Sequence, residues 1–212
     1  MKILELFSGT GTLSRIARER GHETFTIDLF QHADLQADAL ELTPEGILEA
    51  AGWEGVDMIW ASPPCTGFSV ASIGRSWHKD GDVYTPKSDT ARLGLELLDK
   101  TFELIYAFHP AAWYVENPRG MMRRMNAVRG HARATVTYCQ YGETRMKPTD
   151  IWHHSPMWSP RPACRNGDPC HESAPRGART GTQGIKGARD RGKLPDELCV
   201  EVIEAAEKWV TQ

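Results

Sequence analysis

Two prolines standing directly behind a short apolar run set the tightest constraint on how this chain can fold. The run is Val56-Asp57-Met58-Ile59-Trp60, and Ala61-Ser62-Pro63-Pro64-Cys65-Thr66-Gly67-Phe68-Ser69 follows it. The run is too short and too rich in β-formers for a helix, and neither proline can donate to a ladder. A strand must therefore end there in a stiff turn. The first reactive side chain after the turn is the thiol of Cys65. In open α/β sheets the carboxyl ends of the strands carry the ligand crevice, so a thiol in this position is placed for nucleophilic chemistry. A lone cysteine is otherwise more often a small core residue; the flanking Pro63-Pro64 and Gly67 favour a loop.

The amino terminus has the same strand-then-turn grammar. Lys2-Ile3-Leu4-Glu5-Leu6-Phe7 leads into Ser8-Gly9-Thr10-Gly11-Thr12-Leu13 and a helical pattern through Arg20. Glycines let a backbone approach a ligand closely, and a helix start offers free N–H groups, so this is a nucleotide-type cradle. A G-x-G alone is equally compatible with phosphate binding or tight packing. The pattern over 22–27 predicts the next strand, ending at Asp28, about twenty residues on, where an acid would hold ribose hydroxyls. Asp38, in Gln36-Ala37-Asp38-Ala39-Leu40, is an acid suited to accept from an adenine amino group, or a solvated loop acid. A further strand over 111–115 delivers Glu116, in Trp113-Tyr114-Val115-Glu116-Asn117-Pro118-Arg119, to the same edge as Cys65, with Pro118 as its stop. Among apolar and aromatic neighbours a carboxyl pKa rises and the group becomes an acid; on an open surface the same residue would be a salt-bridged acid.

Taken in order, Phe7-Ser8-Gly9-Thr10-Gly11, Pro63-Pro64-Cys65 with Phe68-Ser69, and Glu116-Asn117-Pro118 resemble the motifs of the cytosine-C5 DNA methyltransferases, over roughly residues 1 to 152. The resemblance implies an α/β, Rossmann-like S-adenosylmethionine-dependent methyltransferase fold, with a reversed last strand, beside a small irregular recognition element. It implies S-adenosylmethionine as cofactor, bound by Phe7, Ser8, Gly9, Gly11, Leu13, Asp28, Asp38 and Pro63. Cys65 is then the nucleophile at C6 of a flipped cytosine in double-stranded DNA, and Glu116 the acid that holds the base. Two departures stand out. Thr66 occupies the position where the family usually has Gln, and Tyr141-Gly142-Glu143-Thr144-Arg145-Met146-Lys147-Pro148-Thr149 offers one arginine and one lysine where the family has two arginines. Arg145 and Lys147 are the corresponding candidates for the target pocket, although a lysine is a point charge and an arginine a fork. The family's carboxyl-terminal motifs, Gly-Asn-x-Val included, are not found. Methylation of tRNA or other RNA is an alternative, since such enzymes share these motifs. A catalytically silent regulatory module is another, and the retention of both Cys65 and Glu116 opposes it.

The rest of the chain is read as a catalytic and cofactor-binding domain over 1–154, a recognition element over 155–193 and a closing helix over 194–212. With 212 residues and 40% hydrophobic content, one α/β domain with a small appendage is the expectation. No apolar run approaches the ~18 to 20 residues that cross a bilayer, so a cytoplasmic monomer without membrane contact is expected. Five cysteines, an odd number, argue against a disulfide framework. The formal charge of −3 hides segregation: residues 161–193 hold eight Lys or Arg against three acids, and 119–147 seven against one. Such a distribution suits a phosphate-facing side. The polar stretch 70–89 reads as a long loop and candidate lid over the base. A helix from Asp89 presents Leu93, Leu97, Leu98, Phe102, Ile105 and Tyr106 for core packing, and 135–139 and 150–153 read as the last two strands. From 155 to 187 glycine and proline dominate, so this segment cannot build its own core. Cys164, Cys170 and His171 within it, with Cys139, His153 and His154 nearby in sequence, are candidate zinc ligands, although C-x5-C-H is not a standard finger and unliganded packing is the other reading. Pro195 starts a last helix with Leu198, Val202 and Trp209 on one face.

Overall fold

Residues 1–30, 32–172, 185 and 187–211 are described by the structure, a computed structural model. Along β1 (Lys2–Leu6), Ile3 packs into one apolar core and Leu4 and Leu6 into another. The same division holds for β4 (Met58–Ala61), with Met58 and Trp60 opposite Ile59 and Ala61. It holds again for β7 (Ala112–Pro118), with Ala112 and Tyr114 opposite Trp113 and Val115. Strands buried on both faces need helices on both sides of their sheet, which is the doubly wound solution. The first face is covered by α1 (Thr12–Glu19) and α6 (Asp196–Val210), the second by α2 (Pro44–Ala51) and α4 (Asp89–Phe108).

The seven-stranded sheet runs β3 (Leu35–Gln36), β2 (Glu23–Asp28), β1, β4, β7, β9 (Pro148–His154), β8 (Ala132–Thr137). β3 through β7 pair in parallel, and β9 runs antiparallel to both β7 and β8. The expected α/β fold with a reversed last strand is thus observed. β9 also corrects one expected boundary: β7 does not stop at 115, because Glu116, Asn117 and Pro118 go on to pair with Ile151, Asp150 and Thr149. β4 has already ended opposite Val115, so the last three residues of β7 project beyond it. The crevice opens at that step.

Other expectations are corrected too. The stretch 70–89 is not a structureless loop but a 3-10 turn (Val70–Ser72), a short helix α3 (Ile73–Ser76) and a hairpin, β5 (Trp77–Asp80) against β6 (Val83–Pro86), turned at Gly81 with φ 56°. On α4, capped by the Ser88 hydroxyl on Ala91 N–H, Leu97, Leu98, Phe102 and Ile105 are buried. Leu93 and Tyr106 lie off that 3.6-residue stripe and are exposed. Mutual pairing extends β9 beyond 150–153 at both ends and starts β8 before 135, but β8 stops at Thr137, where the 3-10 turn Tyr138–Tyr141 takes over. α6 buries Leu198, Val202, Ile203 and Ala206 against α1, β7 and the sheet, with Trp209 half-buried at its end. Arg15–Asp196 and Arg20–Glu207 ion pairs join α1 to α6 at the surface, where such pairs are worth about 0–1 kcal/mol; the apolar seam does most of the holding. A short helix α5 (Ala188–Gly192) precedes it. Among the described residues no helix is long and apolar enough to cross a membrane.

Candidate active site

The turn after β1 is built from left-handed backbone. Phe7 (φ 57°), Gly9 (φ 52°) and Gly11 (φ 64°) all have positive φ, and only the glycines do this without steric cost. Strain at a non-glycine such as Phe7 is retained where the surroundings over-determine it. Ser8 is held from both sides, its N–H on Ile27 O and its carbonyl accepting from Gly11 N–H at 2.7 Å. Gly11 begins α1 with no side-chain cap of its own, the Glu5 carboxylate accepts from Ser14 N–H in the first turn, and a Cβ built on Gly11 meets nothing within 4 Å. Leu13 is different from the expectation: its side chain is wholly buried in the core beneath, so it supports the cradle rather than facing it.

Asp28 ends β2 as expected and sits against this turn, its carboxylate accepting from Gly9 N–H at 2.9 Å and from Phe30 N–H at 3.0 Å. Two apolar residues that sequence reading passed over follow it, Leu29 and Phe30, 55% and 73% exposed. Exposed apolar side chains beside a glycine turn suit an aromatic ring system such as adenine. Asp38 caps the 3-10 turn Ala39–Glu41, accepting from Leu40 N–H at 3.0 Å, which leaves its other oxygen for a ligand amine. A flat apolar platform, two acids and a strained glycine turn fit the adenosine portion of S-adenosylmethionine.

Cys65 is exposed, between buried Pro63 and buried Gly67 and Phe68. Its loop is pinned at several points. Phe68 N–H bonds Cys65 O, Met121 N–H bonds Phe68 O at 2.7 Å, and the Phe68 ring stacks on Trp77, whose indole N–H bonds Gly67 O. Asn117 Nδ2 donates to Pro63 O at 2.9 Å. The residue next to Glu116 therefore ties the projecting end of β7 directly to the turn that carries the thiol.

Glu116 lies 5% exposed on the face shared with Tyr114. Tyr138 donates its hydroxyl to Glu116 Oε1 at 3.1 Å, and the Ser62 hydroxyl also bonds this carboxyl. Lys147 Nζ stands 3.9 Å from the same oxygen and 3.1 Å from the Tyr138 hydroxyl. Burial pushes the Glu116 carboxyl up and the Lys147 ammonium down, each charge partly restoring the other. The surrounding protein and the Glu116 charge raise the Cys65 thiol, and Lys147 pulls it back down. Cys65, Glu116 and Lys147 are thus one electrostatic unit. Tyr138 and Ser62, not identified from sequence, complete it; Tyr138 reads in sequence only as a strand end.

Arg145 lies beside them, its guanidinium 5.5 Å from the centre of the Tyr138 ring. Its five N–H donors go to the Glu143 carboxylate and to the carbonyls of Asp190, Arg191 and Lys193. These bonds clamp the chain returning toward α6. The basic stretches also divide. Arg123 pairs with the buried Asp150, and Arg161 with Glu197 and Glu201, so neither is committed to phosphate. Arg119, Arg124, Arg129, Arg133, Arg165, Arg189 and Lys193 are exposed. Arg176, Arg179 and Lys186 lie outside the described residues. Cys164, Cys170 and His171 do converge, and Cys139 joins them; His153 and His154 belong to β9 and are not in the group.

No family model matches the chain. A protein of Frog virus 3 (isolate Goorha) described as "Probable DNA (cytosine-5)-methyltransferase" is 31% identical over 222 residues, covering 96% of this chain and 99% of that protein. Among solved structures, an E. coli prophage-encoded protein assigned to the DNA modification methyltransferases matches with a TM-score of 0.53 at 20% identity, over 76% of this chain and 51% of that one. That likeness concerns the fold, and this chain spans about half the other's length. With the motif residues gathered at one sheet edge and near-complete mutual coverage with the viral relative, the chain belongs to the DNA (cytosine-5)-methyltransferase family.

Proposed function

We propose that this chain transfers a methyl group from S-adenosylmethionine to C5 of cytosine in double-stranded DNA through a covalent bond between Cys65 Sγ and C6 of a flipped base. The observation that carries the reading is the placing of an exposed thiol near a buried carboxyl beside a single buried ammonium, on strand ends tied together by Asn117 and Pro63. The name of the viral relative supports DNA as the substrate.

C5 of cytosine is too weak a nucleophile to take a methyl group directly. Addition of the Cys65 thiolate at C6 forms the S–C6 bond and moves electron density to C5. Glu116, its pKa raised by burial, is suited to donate to N3 and stabilise the added ring, with Tyr138 and Ser62 holding the carboxyl in place. S-adenosylmethionine, when bound, supplies the electrophilic methyl. Loss of the C5 proton then returns electrons to break the S–C6 bond and release the thiolate. The turn at Phe7, Ser8, Gly9 and Gly11, with Asp28 and Asp38, is the part of the chain that would hold the cofactor, while Pro63 anchors the Cys65 loop. Extrusion of the base from the duplex costs roughly a few kcal/mol.

Residues 1–154 serve catalysis and cofactor binding, 155–193 act as a small recognition element, and 194–212 close the domain. The exposed Arg165, Arg189 and Lys193 are suited to phosphate. An element this small leaves room for few base contacts and hence a short recognition site.

Duplex DNA carrying 5-fluorocytosine tests the reading. The fluorine cannot leave as a proton does, so wild type with cofactor should form a denaturation-resistant adduct and Cys65→Ser should not, while binding cofactor normally. No adduct on DNA, or an adduct on matched RNA alone, would overturn the assignment.

A further inference from the structure

The recognition element meets the catalytic domain at four side chains that the reaction does not use. Cys139 lies in the 3-10 turn Tyr138–Tyr141 directly after β8, whereas Cys164, Cys170 and His171 come from the irregular segment beyond β9. Their ligand atoms all lie within 4.8 Å of one another. Cys139 Sγ is 3.1 Å from Cys164 Sγ and 3.6 Å from Cys170 Sγ. His171 turns Nδ1 to the thiols, 3.6 Å from both Cys164 Sγ and Cys170 Sγ.

These separations have a physical reading. A tetrahedral zinc with bonds of ≈ 2.3 Å to sulfur and ≈ 2.0–2.1 Å to nitrogen holds its sulfurs about 3.8 Å apart and sulfur from nitrogen about 3.6 Å. A disulfide needs about 2.05 Å, and it joins two sulfurs, not three with an imidazole. The surrounding backbone is arranged for the same convergence. Cys164 N–H bonds Thr137 Oγ1 at 3.0 Å, Glu172 N–H bonds Thr144 O at 2.8 Å, and Arg161 reaches Gln140 O at 2.6 Å. Both ends of the segment are thus stitched to the region that supplies Cys139.

We propose that Cys139, Cys164, Cys170 and His171 bind one zinc ion as a closed Cys3His site, which staples residues 161–172 to the turn carrying Tyr138. Three thiols release their protons to solvent and bind the ion as thiolates, the imidazole binds neutral through Nδ1, and no coordination position is left for water, so the site is structural. Its place explains how residues 161–172, without a core of their own, are held against the turn that supplies Cys139. It also adjoins the pocket: Tyr138, one residue before Cys139, is the donor to Glu116. This last link alone rests on the proposed function; the metal site does not.

Elemental analysis of the untagged full chain should find one zinc per molecule, and cobalt exchanged into the site should show tetrahedral ligand-field bands with thiolate-to-cobalt charge transfer. Exposed Cys170 is the safest ligand to change: Cys170→Ala should abolish the charge-transfer signature at stoichiometric cobalt while calorimetric binding of S-adenosylmethionine reports an intact cofactor domain. In wild type, alkylation should reach Cys65 at once and reach Cys139, Cys164 and Cys170 only after chelation, which needs no variant to fold. A protein that takes up no zinc or cobalt, whose three thiols alkylate as fast as Cys65, or that carries a Cys139–Cys164 disulfide overturns the site.

Discussion

Replacing Gly120 with alanine probes whether the Cys65 loop is held where the chemistry needs it. Gly120 has φ −173° and ψ −144°, an extended conformation open to any residue, so the effect is one of space alone. A Cβ there falls 2.3 Å from Phe68 O, where real contacts essentially never come under 3.0 Å. The carbonyl must give way by at least that difference, yet it accepts Met121 N–H at 2.7 Å. The Phe68 ring has nowhere to retreat, being stacked on Trp77 and close against Gly94. The displacement therefore passes along the chain to Cys65, whose carbonyl Phe68 N–H holds at 3.0 Å. Overpacking costs about 1–3 kcal/mol and a broken buried hydrogen bond a similar amount, so Gly120→Ala should lose about 2–4 kcal/mol of stability. A misplacement of about 1 Å at a reacting group costs on the order of 10²-fold in rate. Urea denaturation would read the first, single-turnover methyl transfer the second, and calorimetry should find cofactor affinity unchanged because the cradle lies on β1 and β2. A variant as stable and active as wild type would refute the reasoning, as would loss of cofactor affinity in proportion to rate.

Two pH experiments follow from buried acids and bases. Burial raises Glu5, whose carboxylate accepts from Ser14 N–H at 3.0 Å, to about 7 from 4.5. Its contribution to stability is whole below the unfolded value and is lost as pH rises through the folded one, at a cost of roughly 3 kcal/mol by pH 8. Glu5→Gln keeps an acceptor for Ser14 and should gain melting temperature over wild type between pH 5 and pH 8; parallel curves in calorimetry would contradict this. Lys147 lowers the Cys65 pKa, so Lys147→Gln should move the acid limb of the kcat/KM profile to higher pH and lose most rate near neutrality. Lys147→Arg should leave the limb in place, and an unmoved limb in the glutamine variant would remove Lys147 from the site.

What was legible in the sequence is what neighbouring residues decide among themselves. Pro63-Pro64 stops a strand whatever lies elsewhere, and Gly9 and Gly11 mark a turn that other residues adopt only at a cost, so the thiol loop and the cradle could be read directly. The hairpin over 77–86 was not legible, since Trp77 is its one fully buried residue and the alternation is too weak to stand out from a polar loop. The end of β7 depends on β9, a partner distant in sequence, and a proline there looked like a stop two residues after the acid. Arg145 and Lys147 are two residues apart and chemically alike, yet carbonyls contributed by residues 190–193 separate their roles. Cys139 was visible only as a neighbour in sequence to the other ligands; convergence across β8 and β9 makes it the fourth.

The proposed reaction asks opposite things of two groups that share one cation. Cys65 must lose its proton to attack, and Glu116 must keep one to support N3. An ionised Glu116 raises the thiol, so the two carry negative charge together only at a penalty. When Glu116 is protonated that repulsion vanishes and the pull of Lys147 on Cys65 remains. The thiol–carboxylate and thiolate–carboxylic acid forms carry the same net charge, and they differ by one proton moved from Cys65 to Glu116. Burial of Glu116 favours the second, reactive form and burial of Cys65 favours the first, so the charge of Lys147 beside both groups bears on the balance. A lysine suffices for this task, since it is done by charge and not by a bidentate grip, and the Tyr138 hydroxyl supplies the directional contact to Glu116 that a point charge does not.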